Sequence, residues 1–405
     1  MQEAAHLRKK TDAQSGELIS YHNYNIASKC VAAGRADSPE RKQRIQRQPI
    51  ELQYVSTSTS HPFGSSGSAI DRTLSRIGNA CWRLGFLGFL GLFEHLQWLW
   101  QPLEFAQVFN ALFLLFLVPP ILGSAQYMWK YTRSESEQAE SSTEDDPTDW
   151  MTTGYEPHPL KLLQTLVFMI HPNTVVRGTA QLFGSLVVLV RYRGRLPTPS
   201  EYETTVDYTL PFRGEWTVHS GSPDPDYSHS WFPVQQRYAY DFVKTDEHGQ
   251  THDGTSGPES FYCFDEPVTA PADGTVIRSL DGHRDHHRTT GWLDPLQYRL
   301  AGNCVVIKHA PTEYSFLGHL KEGSVCVSEG DTVSRGEEIG RCGHSGNSTE
   351  PHLHFQIQDN PRFYLSASLP LQFTEIAVEG RDGDTESRES TYIHCGQLVQ
   401  NWIRR

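Results

Sequence analysis

The stretch His352-Leu353-His354-Phe355-Gln356-Ile357-Gln358 alternates polar and apolar residues without a break. A period of two is the mark of a β-strand, whose successive side chains point to opposite faces. The alternation puts His352 and His354 on one face, about 7 Å apart along the strand, and leaves Leu353 and Phe355 for a core. Two imidazoles on one side of a strand suit a metal ion and a neighbouring base. The preceding run Gly343-His344-Ser345-Gly346-Asn347-Ser348 is rich in turn formers and feeds the strand.

From about Tyr202 the chain has the same texture throughout. Short apolar runs recur at Tyr208–Phe212, Tyr238–Val243, Val268–Ile277, Asn303–His309, Ser324–Val327 and Thr332–Ile339, separated by Gly, Pro and Asp. Closely spaced short strands with turn signals and no long helical period predict a mainly β domain, an antiparallel sheet or open barrel, over 201–375. Residues 376–405 are rich in Glu, Asp and Arg and read as a loose C-terminal tail.

The first half is of a different kind, and a chain of 405 residues has room for several segments. Residues 1–79 are polar, with Ser-rich and Gly/Ser-rich runs, and read as a disordered tail. Residues 80–130 are hydrophobic and predict a membrane-associated region of one or two helices. Phe105–Trp129 carries no charge and exceeds the roughly 20 residues that cross a bilayer. Residues 131–159 form an acidic, Ser-rich linker, and 160–200 are apolar again, either a third membrane-associated piece or helices packing on the next domain. Basic residues flank the hydrophobic block on both sides, so its orientation stays open. No apolar run in the first 30 residues has the length of a secretory signal.

A formal net charge of -13 argues against a nucleic-acid partner held by an overall basic field. Seven cysteines without a Cys-x-x-Cys pair argue against zinc ribbons and thioredoxin-like redox motifs. Cys304, Cys326 and Cys342 fall on or beside predicted strands and suit small core residues.

The blocks taken together resemble a known family. Val325–Phe355 carries Gly330-Asp331-Thr332-Val333, Gly336, Ile339-Gly340 and Pro351-His352-Leu353-His354-Phe355. Ala270-Pro271-Ala272-Asp273-Gly274-Thr275-Val276, Gly302-Asn303-Cys304-Val305-Val306-Ile307-Lys308-His309 and Gly318-His319-Leu320 precede it. In that order they resemble the lysostaphin-type (LytM-like) zinc metallo-endopeptidases over about 205–375. The resemblance implies the family's duplicated hybrid-motif fold and one Zn2+ held by His, Asp and the second His of His-x-His. Here those are Asp241 and His354, with His319 and His352 as the two further histidines. One of the pair would take the proton from the attacking water and the other would steady the oxyanion.

One ligand departs from the family pattern. The first histidine usually stands four residues before the aspartate, where this chain has Arg237, and an arginine stays protonated and cannot ligate zinc. His229, twelve residues before Asp241, is the nearest upstream candidate and the expected replacement; His219 is the reserve. Leu317 stands where a tyrosine is usual, so Tyr314 or Tyr240 would have to supply its hydroxyl. His283, His286 and His287 sit in a polar insertion, and His248 and His252 in a Gly- and Asp-rich loop, all read as solvated. His309 ends a strand and suits a structural hydrogen bond as well as a groove role.

The resemblance implies a membrane-anchored zinc endopeptidase whose extracytoplasmic domain cuts peptide cross-links of peptidoglycan. A degenerate, non-catalytic cell-wall binding or regulatory module and a zinc peptidase acting on proteins are the competing readings. The oligomeric state is not legible.

Overall fold

A computed structural model describes residues 147–154 and 171–402, apart from 149, 226, 290 and 380–384, with isolated positions elsewhere. These residues belong to one compact unit; a second, residues 50–146 and 157–167, is described only at a few helical positions such as Ile77, Cys81 and Val167. The tail 1–79, the hydrophobic region 80–130 and most of the linker 131–159 therefore fall outside the described residues.

The described unit is a mainly antiparallel β structure. Its strands are β1 (Trp216–Ser220), β2 (Tyr240–Val243), β3 (Pro267–Thr269), β4 (Gly274–Leu280), β5 (Asn303–Ala310), β6 (Glu313–Leu320) and β7 (Thr332–Val333). β8 (Glu338–Arg341), β9 (Leu353–Gln358), β10 (Ser368–Leu369), β11 (Phe373–Glu379), β12 (Thr385–Thr391) and β13 (Leu398–Asn401) follow. Eleven strands form one open sheet in the order β12-β11-β13-β1-β2-β9-β6-β5-β4-β7, with β10 on β9; β3 and β8 pair separately.

The predicted alternation sets the two faces of the central strands. Leu353, Phe355 and Ile357 of β9 join Leu317, Val305, Ile307 and Phe242 in a fully buried core. Their neighbours His354, Gln356 and Gln358 face the other way and are buried too. A polar face that is also buried must be satisfied within the protein, and its hydrogen bonds organise the site.

Two expectations change. The described residues of 376–402 do not form a loose tail: β11–β13 extend the sheet, β13 pairs with β1, and Ile376, Ile393 and Val399 are buried. The edge strand β12 is exposed along nearly its whole length, so it shows no alternation and reads as a polar tail. Tyr208–Phe212 and Ser324–Val327 are not strands. Tyr208 and Phe212 make only isolated bridges, and their side chains fill the core.

Within 160–200 the helix described along its whole length is α1 (Pro172–Arg191), with proline in its first turn. One face packs on the β structure: Gly184 and Ser185 are buried, and the Ser185 hydroxyl donates to Gln235 at 2.9 Å.

Candidate functional site

The site forms where β2, β9 and β6 lie side by side. Register places Asp241 of β2 directly beside His354 of β9, and Gly318 of β6 on its other flank. Asp241 therefore has the only ionisable side chain facing His354 in the strand ladder at that rung, and the glycine leaves the space above the ring open.

His354 Nδ1 lies 2.9 Å from Asp241 Oδ1, and His229 Nε2 lies 3.1 Å from Asp241 Oδ2. One potential ligand atom from each of His229, Asp241 and His354 falls within 4.8 Å of the others. The reserve candidate His219 is not in this group.

The tautomer of His354 follows from a chain of amides. The carbonyl of Asn360 can only accept, so it takes a hydrogen from Gln358 Nε2 at 2.7 Å. Gln358 Oε1 then accepts from Gln356 Nε2 at 2.7 Å, and Gln356 Oε1 faces His354 Nε2 at 3.3 Å. Nε2 thus carries the hydrogen, and a neutral His354 aims its Nδ1 lone pair at a carboxylate oxygen. Two acceptors facing each other at 2.9 Å repel unless a proton or a cation lies between them. His229 Nδ1, also buried, has no hydrogen-bond partner among the described residues. This donor set fits a bound cation.

Two more rings complete the site. His319 Nδ1 donates to the Ser345 carbonyl at 2.7 Å, and His352 Nδ1 donates to the Glu350 carbonyl at 2.8 Å. Each therefore keeps its lone pair on Nε2. His352 Nε2 lies 3.6 Å from Asp241 Oδ1. His319 reaches the groove because its backbone turns into the left-handed region (φ 59°), breaking the alternation of β6 at its end. A non-glycine residue held there is strained, and such strain collects at functional sites.

Burial, reinforced by the neighbouring His352 and His354, holds His319 well below the usual imidazole range. Burial also lowers His352, although Asp241 pulls against it. Burial works against a charged Asp241, but neighbouring His229 and His352 and the hydrogen bond from His229 hold its carboxyl well below the usual range. For His229 the pull of Asp241 outweighs burial and raises it.

Arg237, at the family's usual ligand position, turns away from this cluster. Its guanidinium stacks on Trp231 at 4.4 Å from the ring centre, and Nε donates to the Trp231 carbonyl at 3.3 Å. The Arg237 carbonyl accepts the Ser228 hydroxyl at 2.7 Å. Arg237 thereby fastens both ends of the loop that delivers His229.

The expectation that Tyr314 or Tyr240 supplies a hydroxyl fails. Tyr240 points into the core and donates to the Ile393 carbonyl, and Tyr314 donates to that of Pro311. The aromatic ring at this wall of the groove is Phe316, which neighbours Leu317 and faces the site. The groove, about 260 Å³, is also lined by Gln236, Leu293, Leu300, Asn347 and Phe363. Gly302 and Gly346 let two of its walls meet: a Cβ on Gly302 would lie 2.4 Å from Ser345, and one on Gly346 2.3 Å from the Gly302 nitrogen. Asn303 ties that junction, donating to the carbonyls of His283 and Leu320.

Of the insertion histidines His287 is exposed as expected, and the other two are not. His283 and His286 are buried, and with Gln297 and Asp294 they brace the 281–302 segment that carries Leu293 and Leu300. His309 is structural, bridging the Asp273 carbonyl and the Ser315 hydroxyl. Cys304, Cys326 and Cys342 are buried. The residues that sequence reasoning passed over are Gln356 and Gln358. Their signal was present: the alternation that pairs His352 with His354 continues through both.

A buried acid between two imidazoles, flanked by two more imidazoles in an open groove, is a donor set that could hold a metal ion. Residues 255–364 match Peptidase family M23, and the domain that contains them is a lysostaphin-type member of that family. Over 163 residues the chain is 29% identical to peptidoglycan DD-endopeptidase ShyA of Vibrio cholerae, covering 40% of this chain and 30% of that protein. Over 168 residues it is 27% identical to glycyl-glycine endopeptidase ALE-1 of Staphylococcus capitis, covering 41% of each. Over 129 residues it is 30% identical to lysostaphin of Staphylococcus staphylolyticus, covering 32% and 24%. The chain spans less than half the length of each of these relatives.

Proposed function

We propose that this protein is a membrane-anchored zinc metallo-endopeptidase that hydrolyses peptide amide bonds, with peptidoglycan cross-links as its substrate class and its β domain outside the cytoplasm. The observation that carries the reading is the cluster of His229, Asp241 and His354 beside two histidines whose Nε2 lone pairs are free. His229, Asp241 and His354 would hold the ion. A zinc in such a site supplies Lewis acidity and lowers the pKa of water to about 7.

The remaining work falls to His319 and His352. Burial keeps both neutral at rest, so each can accept a proton at Nε2. One accepts the proton of the attacking water and returns it to the leaving amine nitrogen as the amide C–N bond breaks. The other would first take a proton from solvent at its Nε2, donate that hydrogen to the developing oxyanion, and return the proton to solvent after the bond has broken. The Ser345 and Glu350 carbonyls hold both rings in the orientation this needs. The peptidoglycan substrate rests on the printed activities of the relatives, and the anchor on the uncharged stretch 105–129.

A non-catalytic binding module would have no need of five such side chains in mutual contact. The deciding measurement is metal content of the purified full chain beside its His229→Ala variant, followed by release of amine groups from peptidoglycan. One zinc in the parent, none in the variant and release only by the parent is expected. A folded parent that takes up no zinc overturns the proposal in favour of the binding module.

A further inference from the structure

Helix α1 buries one mixed face on the β structure and turns an apolar stripe outward. Val176, Phe183, Leu186 and Val190 are 68%, 63%, 58% and 69% exposed, and Val175 and Val187 flank them. At 100° per residue these positions form one continuous stripe along the helix. A monomeric soluble surface rarely shows so continuous an apolar strip without a partner.

The inward face buries Val188 against Val234 and Ala367, and its polar side chains are tied to three walls of the groove. Gln181 Nε2 lies 2.9 Å from Gln236 Oε1, and Gln236 lines the groove. Arg177 donates to the Gln297 carbonyl at 2.7 Å and Asn173 to that of Pro295 at 3.3 Å, both on the segment that carries Leu293. A Cβ on Gly184 would lie 1.8 Å from the carbonyl oxygen of Tyr364, the neighbour of the groove residue Phe363. By length and composition alone α1 would pass for a membrane-crossing helix. Crossing would carry Arg177, Gln181 and their partners into hydrocarbon, which these hydrogen bonds oppose.

We propose that α1 lies flat in the headgroup layer of a bilayer, its apolar stripe facing the acyl chains and its polar face holding the groove walls. Three observations select lipid as the occupant. The helix contains no acidic residue, although the chain as a whole is strongly acidic. Exposed Arg193 and Arg195 follow its last turn, beside Tyr192, a pattern suited to anionic headgroups. The uncharged stretch 105–129 precedes α1 by about 40 residues, which bounds its distance from the bilayer at about 140 Å. The inference rests on the anchor proposed above and adds a second, surface contact that ties lipid to the groove.

Photocrosslinking tests it on the full chain in phosphatidylcholine–phosphatidylglycerol vesicles. The photoreactive residue p-benzoylphenylalanine replaces Phe183, Val190 or, as a control, exposed Glu329. Lipid adducts at 183 and 190 about tenfold above those at 329 are expected, falling to the control level when Leu186→Glu is added to the 183 probe. Crosslinks from 183 and 190 to residues 80–130, or to a second copy, overturn the proposal, as does a lipid yield no higher than the control. Recovery of the chain with vesicles after alkaline carbonate reads the anchor separately, and zinc content reads the peptidase site. The α1 proposal can thus fail while both stand.

Discussion

His319 and His352 lie ring to ring, centroids 4.7 Å apart, and each gives its Nδ1 hydrogen to a backbone carbonyl from the loop between β8 and β9. One loop therefore sets the tautomer of both. His319→Ala is expected to retain zinc and lose turnover by a factor of about 10² to 10⁴, since a proton acceptor is lost and no proposed ligand is. Asp241→Ala and His354→Ala should each lose the metal itself. Metal analysis beside a hydrolysis assay separates the two outcomes, and zinc lost from His319→Ala would contradict the division of roles.

The amide chain behind His354 makes its own prediction. Methionine at position 356 matches glutamine in length but cannot accept the His354 Nε2 hydrogen. Gln356→Met should weaken zinc binding by about 10- to 100-fold, the usual cost of removing a ligand's outer hydrogen-bond partner. A competition titration with a chelating dye measures this. Unchanged affinity would mean that Gln356 does not orient the ring.

Arg237 offers a sharper test, because it occupies the position where a ligand is expected from the family resemblance. Its side chain is committed to Trp231. Arg237→His should therefore fail to restore zinc to a His229→Ala variant. Arg237→Leu, in a His229-containing chain, should loosen the loop and lower zinc affinity about tenfold. Full zinc content in the doubly substituted protein would show that position 237 can still reach the site.

Stability should fall in acid through His344. Burial pushes this fully enclosed ring down to about 3, and nearby His286 and His352 push the same way. Because the folded value lies below the unfolded one, the contribution is intact above about pH 6.5 and is lost as pH falls from there toward 3. Between pH 7 and 5 that amounts to about 2 kcal/mol. Glu350, pushed up to about 7 by burial, acts in the opposite sense, losing its contribution as pH rises from about 4.5 through 7. The informative comparison is thus between parent and His344→Asn. The variant's unfolding free energy should be lower at pH 7 and flatter toward pH 5, and parallel curves would remove His344 as the cause.

What the sequence by itself determined is local. Strand periodicity set the two faces of β9, because side-chain direction in a strand depends only on position along it. That was enough to pair His352 with His354 and to send Leu353 and Phe355 to the core. The same rule reached Gln356 and Gln358 but did not say what they do, since an amide's role depends on its partners. Tertiary structure decided the rest. Asp241 meets His354 across 113 positions of sequence because β2 and β9 pair in one register. His229 joins them because Arg237 folds its loop onto Trp231, a contact with no periodicity to reveal it. Leu398–Asn401 becomes a strand only because β13 finds β1, whose buried face rewards a short, half-polar segment for pairing.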